Sequence, residues 1–255
     1  MRRQLFMWNP WHGCHKISPG CKNCYVYRQD FNFKKDSSVV TKNADFDLPL
    51  RKKRNGEYKI ENGKVLYTCF TSDFFLEDAD VWRSDAWKII KERKDLNFFI
   101  ITKRIDRFFV NLPNDWEKGY DNVIISCTVE NQNMADYRLP IFLKLPIKHK
   151  LIAVSPLLEK VNLLPYLSSK IEEVVVGGES GINARVCDYD WVLNIRDQCV
   201  KAKIPFWFHQ TGMYLKKDNK VYKIERKYQH SQAKKANIDF MLDKINYGEK
   251  YENKF

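Results

Sequence analysis

The sequence contains no long hydrophobic run, no internal repeat and no low-complexity segment. Spanning a bilayer takes about 20 consecutive apolar residues, so we expect no membrane association. The N-terminus has two arginines but no apolar stretch behind them, which argues against a secretory signal. We therefore expect a protein of the reducing cytoplasm, in which the seven cysteines are thiols or metal ligands rather than disulfides.

Arginine is scarce relative to lysine, and the 32 acidic residues are fewer than the 44 basic ones. The net charge is +12, and 31 of the 44 basic residues are lysines. A basic protein attracts polyanions, which makes DNA or RNA a candidate partner. A general lysine bias would give the same charge, and arginine, the better reader of phosphates and bases, is not enriched. Charge alone leaves both explanations open.

Six short apolar runs alternate with amphipathic stretches, and each run ends in a polar cluster. The runs are Val65–Phe70, Asn97–Ile101, Asn122–Cys127, Lys150–Val154, Glu172–Val176 and Pro205–Phe208. Apolar strands alternating with helices are typical of a parallel sheet covered on its faces. In a β/α barrel the functional groups collect at the C-terminal ends of many strands, whereas a doubly wound sheet uses one switch point. We therefore predict an α/β fold, a full or partial TIM-like β/α barrel over residues 1–212, with its first strand near Leu5–Asn9.

Helices are predicted over Ser84–Asp95, with Ser84 as a cap, over Met134–Leu145, with a break at Pro140, and over Asp188–Ala202. Two segments lie outside the alternation. Residues 31–63 carry two Asn-Gly turn signals and predict a small hairpin insertion. Residues 213–255 predict a basic C-terminal extension with interleaved tyrosines, either solvated or substrate-binding.

Three cysteines, Cys14, Cys21 and Cys24, follow a C-x6-C-x2-C pattern in a loop stiffened by prolines and glycines. Thiolates hold the irons of a 4Fe–4S cluster, and three of them leave one iron open to a small molecule such as S-adenosylmethionine. Zinc is the alternative, with His12 or His15 completing a Cys3His site. Structural zinc sites usually bring two close cysteine pairs, and this loop has one, so the spacing favours the cluster. The other four cysteines suit buried positions in strands or helices.

Seven motifs resemble, in order, a three-cysteine family of phages and bacteria that has no known function and is grouped with radical S-adenosylmethionine proteins. They are WNPWHGC…SPGCKNCY, TSDFF, ITKR, TVENQNMADYRLP, SPLL, VVVGGESGINARV and RDQC…IPFWFHQTG, within residues 5–212. The resemblance implies a radical S-adenosylmethionine barrel with a 4Fe–4S cluster on the three loop cysteines, S-adenosylmethionine as the second cofactor, and a protein electron donor. Three positions depart from the family pattern: Ser155 replaces an acidic residue, His209-Gln210-Thr211-Gly212 replaces Lys-Gln-Trp-Gly, and Cys127 replaces an aliphatic residue.

Ten residues at the predicted strand ends are candidates for binding the cofactor: Ser72, Asp73, Lys103, Arg104, Glu130, Asn131, Gly177, Gly178, Glu179 and Arg185. Charged groups there suit the ammonium, carboxylate and ribose of the cofactor, and the glycines allow close approach of a flat ring. Helix caps and turns are the ordinary alternatives for the same residues. Cys127 and His209 are the catalytic candidates, Cys127 as a hydrogen-atom donor to a radical. The alternatives are a buried thiol for Cys127, which base rates favour, and a structural histidine for His209.

The leading hypothesis is a radical S-adenosylmethionine enzyme that repairs or modifies a base in nucleic acid, because tyrosines in a basic segment can stack on bases. One alternative is the same chemistry on a protein or small metabolite. The other is a non-catalytic iron–sulfur or zinc module that binds DNA, which would not need polar clusters at every strand end.

Overall fold

A computed structural model of the chain describes residues 6–242. Its strands are β1 (Phe6–Trp8), β2 (Trp11–His12), β3 (Thr41–Lys42), β4 (Val65–Thr68), β5 (Asn97–Thr102), β6 (Val123–Thr128), β7 (His149–Val154), β8 (Glu173–Gly177), β9 (Cys187–Asp188), β10 (Phe206–Gln210), β11 (Tyr214–Lys217) and β12 (Lys220–Lys223). Its α-helices are α1 (Tyr25–Asn32), α2 (Asp80–Glu92), α3 (Gln132–Lys144), α4 (Tyr189–Ala202) and α5 (Arg226–Lys235).

The main sheet has seven parallel strands in the order β1-β4-β5-β6-β7-β8-β10. Each of the six predicted apolar runs forms one of its strands, and β1 lies in the predicted first-strand segment, of which Leu5 is outside the described residues. Within residues 6–242 the edge strands β1 and β10 do not pair with each other. The prediction of a partial β/α barrel is therefore confirmed.

The two faces of the sheet bury different clusters. The outer, convex face packs against the helices in a large core that includes Phe98, Ile125 and Phe206. The inner, concave face carries a smaller cluster of Val65, Tyr67, Phe99, Ile124 and Leu151. Side chains alternate between faces along a strand, so the parity of a residue decides which environment it meets.

Two helix predictions need correction. Helix α2 begins at Asp80 rather than after Ser84, which lies inside it. Helix α3 runs continuously through Pro140. The missing N–H of Pro140 leaves only the Asp136 carbonyl without its helical donor, and Asp136 is exposed to water, so burial of Leu139 and Phe142 outweighs that loss. The predicted helix near Asp188 is confirmed, with Asp188 as its N-cap.

The predicted hairpin insertion forms only in part. The Asn55-Gly56 turn closes a single antiparallel bridge between Lys52 and Tyr58. The segment's strand β3 pairs instead with β2, beside the cysteines, and residues 31–32 belong to α1. The segment thus supports the cysteine region rather than projecting from the domain.

The C-terminal segment is part of the folded domain as far as the structure describes it. Strand β11 pairs with β9 and with β12, helix α5 lies against β10, and Phe240 bridges Phe206. The basic C-terminal extension predicted over 213–255 stays a prediction, and its residues 213–242 pack against the rest of the domain. Residues 243–255 lie outside the description. Within residues 6–242, no helix combines the length and apolar character needed to cross a membrane.

Candidate cluster and cofactor site

Residues 13–24, which we call the cysteine loop, follow β2 and precede α1. The loop is anchored at its start by backbone hydrogen bonds, because the Gly13 N–H donates to the Thr71 carbonyl and the Cys14 N–H to the Ser37 carbonyl. Gly13 has a φ of +93°, a backbone conformation that favours glycine. Ser72, one of the candidate ligands, donates its hydroxyl to the Gly13 carbonyl. Ser72 therefore holds the loop in this structure.

The three loop thiols all lie near Tyr27. Cys14, Cys21 and Cys24 all raise the pKa of Tyr27, after the larger effect of burial, so all three lie within electrostatic range of one phenol. The Tyr27 hydroxyl donates to the Cys14 carbonyl. Burial, and then Asp73, raise the pKa of Cys14 to about 12, against the lowering effect of Arg104. Iron binding would therefore have to displace a proton from Cys14.

Asp73 and Arg104 connect the ends of β4 and β5 to the cysteine loop. The buried Asp73 carboxylate accepts from the Thr102 hydroxyl at 2.7 Å and from the backbone N–H of Lys103 at 2.9 Å and Phe75 at 3.0 Å. Arg104 lies 3.7 Å from Asp73, donates to the His15 carbonyl at 2.9 Å, and approaches the Cys14 sulfur at 3.5 Å. Both side chains thus position Cys14 instead of pointing freely into a pocket.

Glu130, at the end of β6, holds the middle of the loop. Its fully buried carboxylate accepts from the Gly20 N–H at 3.0 Å and pairs with buried Arg138 at 2.8 Å. A Cβ on residue 20 would lie 3.0 Å from the carboxylate, which explains the glycine next to Cys21. Burial raises the pKa of Glu130, but Arg138 and the Ser18 hydroxyl lower it more, so the net pKa is below the usual range and the group is ionised at neutral pH.

Glu179 and Arg185, beyond the end of β8, hold the last part of the loop. Arg185 donates to Glu179 through Nε at 2.9 Å and Nη2 at 2.5 Å, and its Nη2 also reaches the Pro19 carbonyl at 3.0 Å. Asn23, one residue before Cys24, donates to Glu179 at 2.9 Å. Burial raises the pKa of Glu179, while Arg185 and Asn23 lower it to a net value below the usual range. The ionised carboxylate therefore orients the residues on both sides of Cys21.

Asn131 and Lys103 have different surroundings from these loop-holding residues. Asn131 is the N-cap of α3, and its side chain accepts from the Met134 N–H at 3.0 Å, so its ordinary structural role is filled. Lys103 is half-buried at the end of β5, and among the described residues its ammonium forms no ion pair. It exerts its charge on Glu130 and on Cys127. Of the ten candidates, Lys103 is the one whose charge is available to a ligand.

The space beside Gly177 and Gly178 is filled by the chain itself. A Cβ on residue 177 would overlap the His209 ring, and one on residue 178 would overlap the Thr211 carbonyl. The glycines therefore allow the end of β10 to pack against the end of β8, and an adenine does not fit beside them in this conformation. Gln210 completes the contact by donating to the Gly178 carbonyl at 2.9 Å.

His209 and Ser155, two of the three departures from the family pattern, contact each other. The His209 Nε2 and the Ser155 Oγ are 3.1 Å apart. Burial, and then nearby His230, lower the pKa of His209 to about 3, so the ring is neutral at physiological pH. An acid and a lysine at these positions would form an ion pair, and a serine and a neutral histidine replace it with an uncharged hydrogen bond.

Cys127 occupies the buried position that is the alternative to its catalytic role. Its side chain lies on the convex face, fully buried in the core against the helices, and burial raises its pKa to about 12. The concave face of β6 is presented instead by Ser126 and Thr128, because Ser126 is in register with Ile101 and Leu151 of the concave cluster. Counting every second residue from Ile124 finds Ser126 and Thr128, but only once Ile124 is known to lie on the concave face.

Ser126 and Thr128 are buried hydroxyls with no hydrogen-bond partner within the described chain. Their exposed fractions are 0% and 1%. Leaving a buried hydroxyl unpaired costs about 1–3 kcal/mol, so such groups in a folded domain need an explanation. Because neither hydroxyl is accessible to water in this structure, a ligand on the concave face next to Lys103 would supply the missing partners only after neighbouring side chains had moved.

The zinc alternative needs His12 or His15 as its fourth ligand. His12 binds Asp30 at 2.8 Å and His15 binds Asp78 at 3.0 Å, so both imidazoles have other partners. Over residues 6–242, no three His, Cys, Asp or Glu side chains are grouped to hold a single metal ion. A 4Fe–4S cluster takes its thiolates on separate irons and needs no such compact donor set.

Comparison with protein families matches residues 5–248 to a family described as a protein of unknown function, DUF5131. The chain belongs to the DUF5131 family. The match extends well past residue 212, so the β11–β12 hairpin and α5 are part of the DUF5131 domain, in agreement with their packing. No curated protein and no solved structure matched the chain.

Proposed function

We propose that this DUF5131 protein is a radical S-adenosylmethionine enzyme that carries a 4Fe–4S cluster on Cys14, Cys21 and Cys24. The observation that carries the proposal is the position of the cysteine loop at the C-terminal ends of a parallel partial barrel. Side chains from the ends of β4, β5, β6 and β8 hold the loop there. Outer-shell contacts of this kind orient the ligands of a metal centre and tune it.

The residues present fit both cofactors. Three thiols lie within electrostatic range of Tyr27, and a guanidinium lies near Cys14, as suits a cluster of anionic sulfurs. On the concave face, the unpaired Ser126 and Thr128 hydroxyls and the unpaired Lys103 ammonium offer hydrogen bonds and positive charge to a polar anionic group such as the carboxylate of S-adenosylmethionine. Bound together, the cluster and S-adenosylmethionine would supply one-electron reductive cleavage of a carbon–sulfur bond, giving a radical that abstracts hydrogen.

This chain's own residues would bind and orient the cofactors. Arg104 and Glu130 fix the backbone on either side of the thiols, and the apolar floor of Tyr67, Phe99 and Ile124 excludes water below them. His209, being neutral, can accept or donate one hydrogen bond at the rim without adding charge. Cys127 has no part in the reaction, because its thiol faces the core.

Thr128→Val tests the cofactor site without changing side-chain shape. We expect reconstituted wild-type protein to cleave S-adenosylmethionine to methionine and 5′-deoxyadenosine with dithionite. We expect Thr128→Val to bind the cofactor about tenfold more weakly, as loss of one hydrogen bond worth about 1.4 kcal/mol would require. Its melting temperature should not fall, because Thr128 has no partner in the chain to lose.

Thr102→Val is the matched control. Thr102 donates to Asp73 and accepts from the Arg104 N–H, so this variant should lose stability. Unchanged cofactor binding in Thr128→Val, or a loss of stability equal to that of the control, would show that the concave hydroxyls are not the cofactor site.

We propose nucleic acid as the substrate because a basic, aromatic hairpin adjoins the site. The hairpin of β11 and β12 is tied to a residue that holds the cysteine loop. The N–H of Met213, one residue before β11, donates to the Glu179 carbonyl. Lys220, Tyr222 and Lys223 are exposed on β12, and neither lysine forms an ion pair within the described chain. Lysines beside an exposed ring suit the phosphates and bases of a single strand.

Charge reversal on β12 tests this surface better than truncation, because removing the chain after Gly212 would also remove α5 and Phe240 from β10. Wild-type protein should bind a single-stranded oligonucleotide with affinity that falls steeply with salt. For Lys220→Glu/Lys223→Glu, loss of two phosphate contacts should reduce the log–log salt slope by about 1.4. Fluorescence anisotropy at several salt concentrations measures this slope.

The matched control is Lys160→Glu/Lys201→Glu, which reverses two exposed lysines outside the hairpin. Equal slopes for the two double variants, or no binding by the wild type at low salt, would favour a protein or metabolite substrate.

A further inference from the structure

An apolar and basic surface lies just after the cysteine loop in the chain, far in sequence from the lysines of the β11–β12 hairpin. It consists of Phe31, Phe33, Lys34, Lys35 and Val39, at the end of α1 and in the loop after it, and we call it the shoulder. Phe31 is 81% exposed, Phe33 75% and Val39 57%. Two phenylalanines with most of their surface in water mark an interaction site more often than a packing defect.

The shoulder is fixed to the cysteine loop. Buried Asp30, in the last turn of α1, accepts from Ser37 and binds His12 at 2.8 Å. The Cys14 N–H donates to the Ser37 carbonyl at 2.8 Å. Because α1 begins directly after Cys24 and spans eight residues, about 12 Å, a molecule on the shoulder lies close to the thiols.

The charge around the shoulder is positive. Lys16, Lys22, Lys34 and Lys35 are exposed, and Asp36 is the one exposed acid between residues 13 and 40. From outside this segment, exposed Asp78 lies against the loop, 3.0 Å from His15, at the end away from Lys34 and Lys35 in sequence. Lys16 is held near the start of α1, with its ammonium 4.5 Å from the centre of the Tyr27 ring. The surface therefore has an apolar centre and a cationic rim, and its partner should be acidic.

We propose that the shoulder docks a small acidic electron-transfer protein of the flavodoxin or ferredoxin class. The inference rests on the proposed function, because reductive cleavage of S-adenosylmethionine consumes one electron that this chain's side chains do not provide. One electron passes from the reduced flavin or iron–sulfur centre of the donor to the cluster. The donor is oxidised and the cluster reduced by one electron, and no atom is transferred.

A protein fits the shoulder better than nucleic acid does. Transient electron-transfer interfaces are small, with aromatic and aliphatic side chains at the centre and charges that steer the encounter at the rim. Phe31 and Phe33, beside Lys34 and Lys35, offer rings on which bases could stack. The features that favour a protein are Val39 and Ile17, exposed aliphatic groups that offer no ring. A separate surface on β12, formed by its lysines and Tyr222, suits the bases and phosphates of a nucleic acid.

The test compares Phe31→Ser/Phe33→Ser and Lys34→Glu/Lys35→Glu with the wild type, using a flavodoxin and a ferredoxin as probes. Affinity for each donor, measured by anisotropy of the labelled donor at low and high salt, needs no cluster. We expect at least tenfold weaker binding of one donor to both variants, and a matching fall in the rate at which that reduced donor reduces the reconstituted cluster. Reduction by dithionite should be unchanged, which shows that the variants fold and hold the cluster.

Val81→Ser/Phe109→Ser is the matched control, because it removes two exposed apolar side chains elsewhere, 76% and 64% exposed, and should bind the donor as the wild type does. The proposal is overturned if neither donor binds the wild type, or if the shoulder variants bind as tightly as the control. It is also overturned if they lose oligonucleotide binding and keep the donor. Donor binding at the shoulder without dithionite-dependent release of 5′-deoxyadenosine would instead contradict the proposed function alone.

Discussion

Cys14→Ala, Cys21→Ala and Cys24→Ala should each lose the iron that wild-type protein binds on anaerobic reconstitution, about four irons per chain for a cubane cluster. Formation of 5′-deoxyadenosine should be lost with it. Cys14, Cys21 and Cys24 all lie within electrostatic range of Tyr27, whereas Cys69, Cys127, Cys187 and Cys199 are buried. Cys69 also lies within electrostatic range of Cys14, but its thiol is buried. Iron and sulfide analysis with visible absorbance measures the result.

Cys69→Ala and Cys199→Ala are the controls, and both should keep the wild-type iron content because their thiols lie in the hydrophobic core. Stoichiometric zinc without iron–sulfur absorbance, in protein never exposed to air, would contradict the cluster. Normal iron in any one of the three loop variants would remove that cysteine from the ligand set.

Glu130→Ala should reduce the free energy of unfolding by about 3–5 kcal/mol, because it leaves the Arg138 guanidinium buried without its partner. It also removes the acceptor of the Gly20 N–H, so the cysteine loop should loosen and reconstitute less iron. Glu130→Gln keeps an acceptor for Gly20 and should retain more iron than Glu130→Ala. Urea denaturation and iron analysis measure the two effects.

Glu57→Ala is a suitable control, since the exposed Glu57 should contribute less than about 0.5 kcal/mol. Replacing both members of the buried pair, in Glu130→Ala/Arg138→Met, should recover part of the lost stability because no charge then remains buried alone. If Glu130→Ala unfolds like the control, the pair does not hold the loop.

The strands were predictable because a parallel sheet covered on both faces requires near-continuous apolar runs, such as the one that became β6. The ends of the helices were harder to predict. Ser84 looks like a helix cap in sequence, yet α2 starts at Asp80, where Arg83 can reach the Phe74 carbonyl at 2.8 Å. The break at Pro140 did not occur because packing of α3 against the sheet outweighs one missing hydrogen bond.

The sequence predicted which residues lie around the cysteine loop, but not what each of them does there. Asp73, Glu130, Glu179 and Arg185 do cluster around the cysteine loop, as strand-end positions in a parallel barrel should. The hydrogen bonds of Glu130, Glu179 and Arg185 go to the loop, and Asp73 lies beside Arg104, which contacts it. Sequence position does not distinguish a residue that binds a cofactor from one that holds its ligands. The contact between Ser155 and His209 links residues 54 positions apart, and no local pattern predicts it.

The sequence by itself determined the alternating strands and helices, the three-cysteine loop and its place after the first strand, because these depend on periodicity and spacing along the chain. The tertiary structure decided which face each side chain occupies and where each polar group finds its partner. It moved Cys127 into the core, left the Ser126 and Thr128 hydroxyls unpaired on the concave face, and packed α5 against β10. These outcomes depend on the register between strands and on burial by distant segments, which are properties of the packed chain and not of any local stretch.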